Sequence, residues 1–317
     1  MKRFALLTVF VLAIVVAFIG CGGADSEETF NSPFIQGLTL NNYPRTDGST
    51  STLPLNTIIA CRLLGIDFGG NTGNVYPRLE GSNADKFWEL VKASQTHESF
   101  INLIDNNADL ILSARKMSAG EKAYADSKGV SLIETPIALD GFIFIVHPTN
   151  PIGSLTISQI QDIYAGRISR WNVLGGNNTN ISPYVREPNS GSQELMESLV
   201  MKGLAIMDFP YSPDIAFSMS GAHDAVSREE NAICYSLYYY KEYLLGAGPN
   251  NTKTIAINGI NPDKESISRN SYPLVTEVYA VIRSDLSESS MAYKVYEWLQ
   301  TEAGKGVISE SGYVAIY

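Results

Sequence analysis

Short apolar runs alternate with helical patterns along most of the 317-residue chain. The apolar runs have the length of β-strands, whereas the helical patterns repeat their apolar residues every three or four positions. Such alternation is typical of βα units, in which helices cover largely parallel sheets. The sequence therefore predicts an α/β fold with mainly parallel sheets.

The clearest strand candidates are residues 108–112, 137–146, 254–257 and 274–282. Helical periodicity is clearest in residues 53–64, 100–104, 158–165, 193–201 and 291–299. Two stretches rich in Asn and Gly, residues 175–180 and 246–251, are typical of surface loops.

Two of the strand candidates have the length and context of connections between lobes. Residues 137–146 follow Pro136 and residues 274–282 follow Pro273. If both strands cross, the chain runs from a first lobe to a second and back again. We therefore predict a discontinuous lobe I (residues 38–139 and 273–317) and a lobe II (residues 140–272), because about 300 residues exceed what one core usually holds.

The N-terminus has the order of a secretory signal: Lys2 and Arg3, an apolar run over residues 4–19, and a small residue before Cys21. The run is shorter than the roughly 20 apolar residues of a membrane-spanning helix, so cleavage is expected. Residues 18–21 resemble a lipobox, in which the cysteine is acylated. We predict a lipoprotein signal peptide (1–20), a tether (21–37) and an extracytoplasmic protein anchored to the cell membrane through Cys21. An ordinary signal cleaved nearby is the alternative.

Charge and cysteine content limit the partners. The formal net charge of −10 becomes more negative by two when Lys2 and Arg3 are removed, which argues against a nucleic-acid partner. An anionic ligand is still compatible with this negative charge, because backbone N–H groups and one arginine supply local positive potential.

Cys61 and Cys234 lie in apolar sequence without metal-ligand spacing, which favours two buried thiols. No metal or other cofactor is predicted.

Three clusters of small and hydroxyl-bearing residues each precede a helical pattern: residues 48–52, 96–99 and 190–192. A helix N-terminus leaves N–H groups unpaired and carries partial positive charge, so added hydroxyls favour a tetrahedral anion. Any single cluster also fits a helix cap, and Ser190 with Gln193 fits a capping box. Residues 49–52, however, supply four hydroxyls, which is more than one cap needs.

Arg186 stands four residues before the third cluster. A guanidinium group at this position can donate two parallel hydrogen bonds to two oxygens of a phosphate-like anion bound at the helix start. A surface arginine paired with Glu187 is the alternative, but it leaves the Ser-Gly-Ser of residues 190–192 unexplained. The phrase 186–192 is therefore the most specific functional signal in the chain.

The order of these phrases resembles the phosphate-binding proteins of ABC uptake systems. The matching phrases are residues 47–54, 108–113, 137–142, 155–171, 186–192 and 272–276, which together span most of the chain. The resemblance implies a type II periplasmic-binding fold, with two lobes joined by two hinge strands that close over an oxyanion. It further implies a monomer that captures inorganic phosphate for an ABC permease and has no enzymatic activity.

The same resemblance assigns the ligand contacts by position. They are Ser49, Thr50 and Ser51 from the first loop, Thr96 from the second, Ser113 after the strand, and Arg186, Ser190, Gly191 and Ser192 from the third.

One departure from the family concerns selectivity. Many members place an Asp directly after the position of Ser113, where it accepts the proton of hydrogen phosphate and rejects fully ionised sulfate. This chain has Ala114 followed by Arg115. The choice of phosphate over sulfate therefore stays open, unless another carboxylate takes the role; the candidates are Asp47, Glu98 and Asp140.

Two other classes of function stay open as alternatives. A secreted phosphoester hydrolase would use Ser190 or Ser192 as nucleophile, but it needs a base, and none of the three histidines, His97, His147 and His223, lies in a triad-like phrase. An oxyanion sensor or adhesin on the same scaffold is the other alternative.

Overall fold

The computed structural model describes residues 34–71, 73–209, 219–246 and 251–316. The predicted signal peptide, Cys21 and most of the predicted tether lie outside the described residues. Within the described ranges strands and helices alternate, which confirms the predicted α/β class. In this part of the chain no helix is both long enough and apolar enough to span a bilayer.

The strands are β1 (Thr46–Gly48), β2 (Phe68–Asn71), β3 (Asn74–Pro77), β4 (Leu110–Ser113), β5 (Leu132–Val146), β6 (Ser154–Leu155), β7 (Ser182–Pro183), β8 (Ala232–Leu237), β9 (Lys253–Ile257), β10 (Val275–Arg283) and β11 (Val314–Ala315). The α-helices are α1 (Leu53–Leu64), α2 (Gly81–Leu90), α3 (Thr96–Ile104), α4 (Ala119–Lys128), α5 (Ile157–Tyr164), α6 (Gly191–Leu195), α7 (Met219–Arg228), α8 (Lys264–Ser268), α9 (Met291–Trp298) and α10 (Glu302–Glu310). Single 3₁₀ turns occupy Thr50–Thr52 and Trp171–Leu174, and π-helical turns occupy Met196–Met201 and Tyr240–Leu245.

The sheets are mixed rather than mainly parallel, so this part of the sequence prediction is corrected. Parallel pairing joins β1 to β4, β6 to β9 and β7 to β8. The long strands β5 and β10 run antiparallel to each other, and β5 is also antiparallel to β8, β9 and β11. The alternation of strands and helices does not reveal strand direction, which depends on how each long strand leaves one lobe and enters the other.

Strand β5 begins at Leu132, five residues before the predicted start, and runs through Pro136. Its register against β10 shifts between Val278 and Tyr279, opposite this proline. Proline has no N–H to donate to the ladder, so a bulge at this point lets the strand continue. The proline therefore interrupts the pairing without ending the strand.

Three hydrophobic clusters of the described residues form the cores of the lobes, two in lobe I and one in lobe II. Lobe I packs α1, α9 and α10 on one face of β4 and β10, with Leu112 and Ala280 in this core. Helix α3 covers the other face, where Ile111 and Val281 are buried. Lobe II packs α5, α6 and α7 around β8 and the second half of β5. The alternation of buried faces along β4 and β10 shows that the sheet of lobe I is covered on both sides.

The strands β5 and β10 join the two lobes, as the resemblance implied. Strand β5 gives Ile137 and Ala138 to the core of lobe I and Phe142 to the core of lobe II. Similarly, Val278 of β10 lies in the core of lobe I, whereas Leu274, just before β10, lies in that of lobe II. The fold therefore consists of two lobes connected by two strands.

The two thiols are buried and free, as the apolar sequence around them predicted. Cys61 lies in α1 and Cys234 in β8, and neither forms a disulfide. Burial raises the pKa of the Cys61 thiol to about 12 and that of Cys234 to about 11. Both thiols are therefore packing residues.

Candidate functional site

The hydroxyl-rich segments before α1, α3 and α6 line one cavity of about 190 Å³ between the lobes. The predicted ligand contacts that line it are Ser49, Thr50, Ser51 and Thr96 from lobe I, and Arg186, Ser190, Gly191 and Ser192 from lobe II. Segments that are far apart in the sequence thus meet at one place, with hydroxyls from both lobes and one guanidinium group.

The first loop is fixed by the position of β1 beside β4. The Ser49 backbone N–H donates to the Leu112 carbonyl at 3.0 Å, and the Thr52 hydroxyl donates to the same carbonyl at 2.7 Å. A side chain on Gly48 would collide with this carbonyl, so glycine permits the close approach of the two segments. Thr52 is therefore a structural residue rather than a ligand contact.

Ser49 links the first loop to the start of α3 and to the end of β4. Its Oγ lies 2.8 Å from Thr96 Oγ1 and accepts a 3.0 Å hydrogen bond from the Ala114 backbone N–H. All three residues are buried and line the cavity. One of the two hydroxyls donates to the other, which leaves one hydroxyl proton for a ligand.

Two cavity hydroxyls, one from each lobe, have no hydrogen-bond partner among the described residues: Ser51 Oγ and Ser192 Oγ. Ser51 is 1% exposed and Ser192 is 5% exposed. Leaving a buried hydroxyl unpaired costs about 1–3 kcal/mol. A polar ligand in the cavity would satisfy both hydroxyls at once.

Arg186 is held at the lobe II side of the cavity through its own backbone. Its N–H donates to the Tyr235 hydroxyl at 2.9 Å and to Gln193 Oε1 at 3.1 Å. The residue is 5% exposed, and burial lowers the pKa of its guanidinium group because the cation loses hydration. A bound anion would offset this loss.

The start of α6 contains only half of the predicted capping box. Ser190 Oγ accepts the Gln193 backbone N–H at 3.2 Å, as a capping serine does. The Gln193 side chain, however, accepts from the Arg186 N–H and donates to Glu197 Oε1 at 2.8 Å. Gln193 therefore positions Arg186 instead of completing the box.

Ser113 is the predicted ligand contact that the structure does not bring to the cavity. It is fully buried, and its hydroxyl donates to the Arg115 carbonyl at 2.6 Å. Its neighbour Ala114 lines the cavity instead. Alternation along the end of β4 turns successive side chains to opposite sides, so a shift of one residue changes which side chain faces the cavity.

Arg115 does not line the cavity. Its guanidinium makes two 2.8 Å hydrogen bonds with the carboxylate of Glu121, which is fully buried in α4. The Nδ1 atom of His97 lies 3.0 Å from the same carboxylate. Although burial opposes ionisation, the hydrogen bonds from Arg115 hold the pKa of Glu121 below its usual value. The charge of Arg115 is therefore balanced by Glu121.

None of the three carboxylates proposed to replace the family's aspartate lines the cavity. The oxygens of Asp47 already accept three hydrogen bonds from elsewhere in lobe I. Glu98 is exposed on α3, and one oxygen of Asp140 accepts two backbone N–H groups within the hinge region. Among the described residues, the lining of the cavity therefore contains no carboxylate.

The histidines are engaged away from the cavity serines. His223 is fully buried between Thr252 Oγ1 at 3.0 Å and Ser236 Oγ at 2.9 Å. His147 contacts Thr149 Oγ1 at 2.8 Å. In the ranges that the structure describes, no histidine bonds to Ser190 or Ser192, and no group of three or more His, Cys, Asp or Glu side chains could hold a metal ion.

Sequence patterns missed several residues that line the cavity. They are Gln95, Met219, Leu237 and Tyr240. Gln95 has a φ of 74°, a conformation that favours glycine, and it stands just before the first residue of α3. The others reach the cavity through tertiary packing, for which no local pattern provides a signal.

The chain is similar to known proteins over most of its length. A family model described as a PBP superfamily domain matches residues 67–303. The "Phosphate-binding protein PstS" of Bacillus subtilis (strain 168) is 19% identical over 317 residues, which cover 99% of this chain and 95% of that protein. A protein of the same name from Staphylococcus epidermidis (strain ATCC 12228) is 23% identical over 326 residues, covering 99% of this chain and 90% of that protein.

Solved structures share the fold. A putative phosphate ABC transporter substrate-binding protein with bound phosphate from Clostridium perfringens superposes with a TM-score of 0.63 at 22% identity, covering 86% of this chain and 98% of that one. An ABC-type phosphate transport receptor from Vibrio cholerae gives a TM-score of 0.60 at 20% identity with the same coverage. At these identities the likeness shows a common fold.

Proposed function

Since the chain belongs to the PBP superfamily, we propose that it is a solute-binding protein that captures inorganic phosphate, or a similar tetrahedral oxyanion, for an ABC transporter. The relatives named as phosphate-binding proteins support this choice of ligand, as does the C. perfringens structure described with bound phosphate. The cavity between the lobes is the proposed binding site.

The observation that carries the proposal is the pair of buried hydroxyls without partners, Ser51 in lobe I and Ser192 in lobe II. Both line the same cavity as Arg186. A tetrahedral oxyanion has oxygens pointing in four directions, so it can accept from both lobes at once. No single helix cap accounts for unpaired donors that two lobes contribute to one cavity.

The energetics are adequate without a metal ion or cofactor. Hydrogen bonds to a charged group contribute about 1.5–3 kcal/mol each. Several of them, after the losses that accompany binding, reach the roughly 8 kcal/mol of a micromolar ligand. The guanidinium of Arg186 adds a positive charge to a cavity whose other polar groups are mostly neutral hydroxyls.

We propose no enzymatic activity for this site. A serine nucleophile needs a general base within hydrogen-bond reach, and the described contacts of His97, His147 and His223 lead to other side chains. If the chain were a hydrolase, the folded protein would turn over a chromogenic phosphomonoester. A binding protein would not.

The remaining features of the proposal follow from the sequence. Acylation of Cys21 would hold the protein on the outer face of the cell membrane, and residues 21–37 would tether it. We propose lobe boundaries at residues 38–139 with 273–317 and at residues 140–272, and a monomer that hands its ligand to a permease.

The test compares single serine substitutions in the two lobes. Ser51→Ala and Ser192→Ala should each weaken phosphate binding by about 10- to 100-fold in calorimetry, because each removes one hydrogen bond to a charged ligand. Ser227→Ala is the matched control, since the Ser227 hydroxyl donates to the Asp224 carbonyl away from the cavity. Unchanged affinity in both cavity variants would contradict the proposed site.

A further inference from the structure

Gly191 of lobe II and Thr96 of lobe I meet across the cavity. A Cβ atom placed on Gly191 would lie 3.1 Å from Thr96 Cβ and 3.5 Å from Thr96 Cγ2, and closer still to Thr96 Oγ1. Gly191 is not among the residues with positive φ, so its backbone conformation suits any residue. The constraint on this position is therefore steric and comes from the opposite lobe.

Thr96 is not free to move away from this contact. Its Oγ1 pairs with Ser49 Oγ at 2.8 Å, and its backbone carbonyl accepts the Ser99 hydroxyl at 2.8 Å. Ser49 is in turn held by the Ala114 N–H. A side chain at position 191 would therefore collide with a threonine that hydrogen bonds hold in place, rather than with the flexible end of a long side chain.

The same contact lies at the cavity, which Gly191 and Thr96 both line. Hydroxyls on both sides of it are buried, with Ser51 in lobe I and Ser192 in lobe II, and a separation of the lobes would open them to a ligand. The lobes have separate cores and are joined by β5 and β10, which allows such a movement. Closing again brings Gly191 against Thr96.

We propose that Gly191 is a positioning residue whose missing side chain sets how far lobe II closes on lobe I. This inference rests on the proposed oxyanion site and adds to it. Full closure to the Gly191–Thr96 contact places the hydroxyls of Ser51 and Ser192 on one ligand. A methyl group at position 191 holds the lobes apart, so that an anion bonded to one lobe loses contacts with the other.

The test is Gly191→Ala, with phosphate as the probe. The variant keeps its backbone N–H, so only the closure is altered. Affinity should fall by about tenfold or more, chiefly through faster dissociation, because the added methyl group overpacks the contact and opposes full closure. Small-angle scattering should show less contraction on adding phosphate than in the wild type, whereas thermal unfolding without phosphate should be unchanged.

Gly153→Ala is the matched control in lobe II, since nothing lies within 4 Å of a Cβ placed there. Its affinity and its contraction should equal those of the wild type. A double variant gives the second test. Thr96→Ala removes Oγ1 and Cγ2, so in this background Gly191→Ala should lower the phosphate affinity clearly less than it does alone.

The outcomes separate the two proposals. A wild type that binds no oxyanion contradicts the proposed function itself. A wild type that binds phosphate, together with a Gly191→Ala variant of equal affinity, overturns only the role of Gly191. A loss from Gly191→Ala that is equally large with and without the Thr96→Ala substitution also overturns it, because the loss would then not arise from the contact with Thr96.

Discussion

Ligand selectivity is decided by single residues that line the cavity. Sulfate and phosphate have similar shapes, and at neutral pH they differ in that hydrogen phosphate carries a proton. A carboxylate in the lining would accept this proton and repel sulfate, but the described lining offers hydroxyls, an amide and a guanidinium. Ala114 occupies the position where the resembled family has its aspartate, and Arg115 is paired with Glu121. We therefore expect sulfate to compete with phosphate in this chain.

Substitution at Ala114 tests this expectation. Ala114→Asp should raise the preference for phosphate over sulfate by at least about tenfold, because juxtaposed like charges cost several kcal/mol. Ala114→Asn has the same size without the charge, so it should leave the ratio of the two affinities close to that of the wild type. Competition titrations at neutral pH measure the ratio. Exclusion of sulfate by the wild type, or an equal ratio in both variants, would contradict this account of selectivity.

At the scale of elements, hinge strand β5 is connected to the first loop of the proposed site through two tyrosines. The Tyr239 N–H donates to Asp140 Oδ1 at 3.0 Å, and its ring stacks on Tyr313 with centroids 3.7 Å apart. The Tyr313 hydroxyl donates to the Ser51 carbonyl at 3.0 Å. Tyr239 follows β8 of lobe II but packs in the core of lobe I. The two lobes therefore also contact each other beside the hinge strands.

Asp140 makes stability depend on pH in this region. Burial raises the pKa of its carboxyl to about 7, and its Oδ2 has no partner among the described residues. Between about pH 4 and 7 the folded state holds a proton that the unfolded state has released, so stability falls by roughly 1.4 kcal/mol per pH unit as pH rises. Burial lowers the pKa of His223 to about 3, which gives the opposite slope between about pH 3 and 6.5.

Asp140→Asn should remove the fall in stability between about pH 4 and 7 and leave the pH dependence that arises from His223. Asparagine can still accept the two N–H groups that bond to Asp140 Oδ1. The variant should therefore become progressively more stable relative to the wild type from about pH 4 to about pH 7, as measured by chemical unfolding. Asp85→Asn, at an exposed position in α2, serves as the control without this trend. A difference in stability that is independent of pH would show that Asp140 is ionised in both states.

Local patterns explain which elements the sequence predicted well. Helix α1 begins and ends where its periodicity indicates, and the residues around Ser51, Thr96 and Ser192 were recognisable because hydroxyl clusters before helices are local features. Strand direction, the bulge opposite Pro136 and the orientation of Ser113 depend on pairing between distant strands. The contributions of Leu237 and Tyr240 to the cavity depend likewise on tertiary packing.

At the scale of the whole molecule, two lobes joined by two strands place the proposed site at the boundary between them. The sequence predicted two lobes because long apolar runs, expected to be strands, follow Pro136 and Pro273. It could not predict the contact of Gly191 with Thr96, which exists only when the lobes meet. In the proposed function, ligand binding and lobe closure are therefore coupled, because a ligand that bonds to both lobes would stabilise the closed form.

Equilibrium dialysis of the chain without residues 1–20 against labelled phosphate tests the central claim most directly. We expect one phosphate per chain, weakened at least about tenfold by Arg186→Ala, because the substitution removes the charge-assisted bonds of a buried guanidinium. Arg269→Ala, at an exposed position in an ion pair with Glu265, should bind as the wild type does. Retention of no phosphate, sulfate or arsenate by the folded wild type would contradict the account.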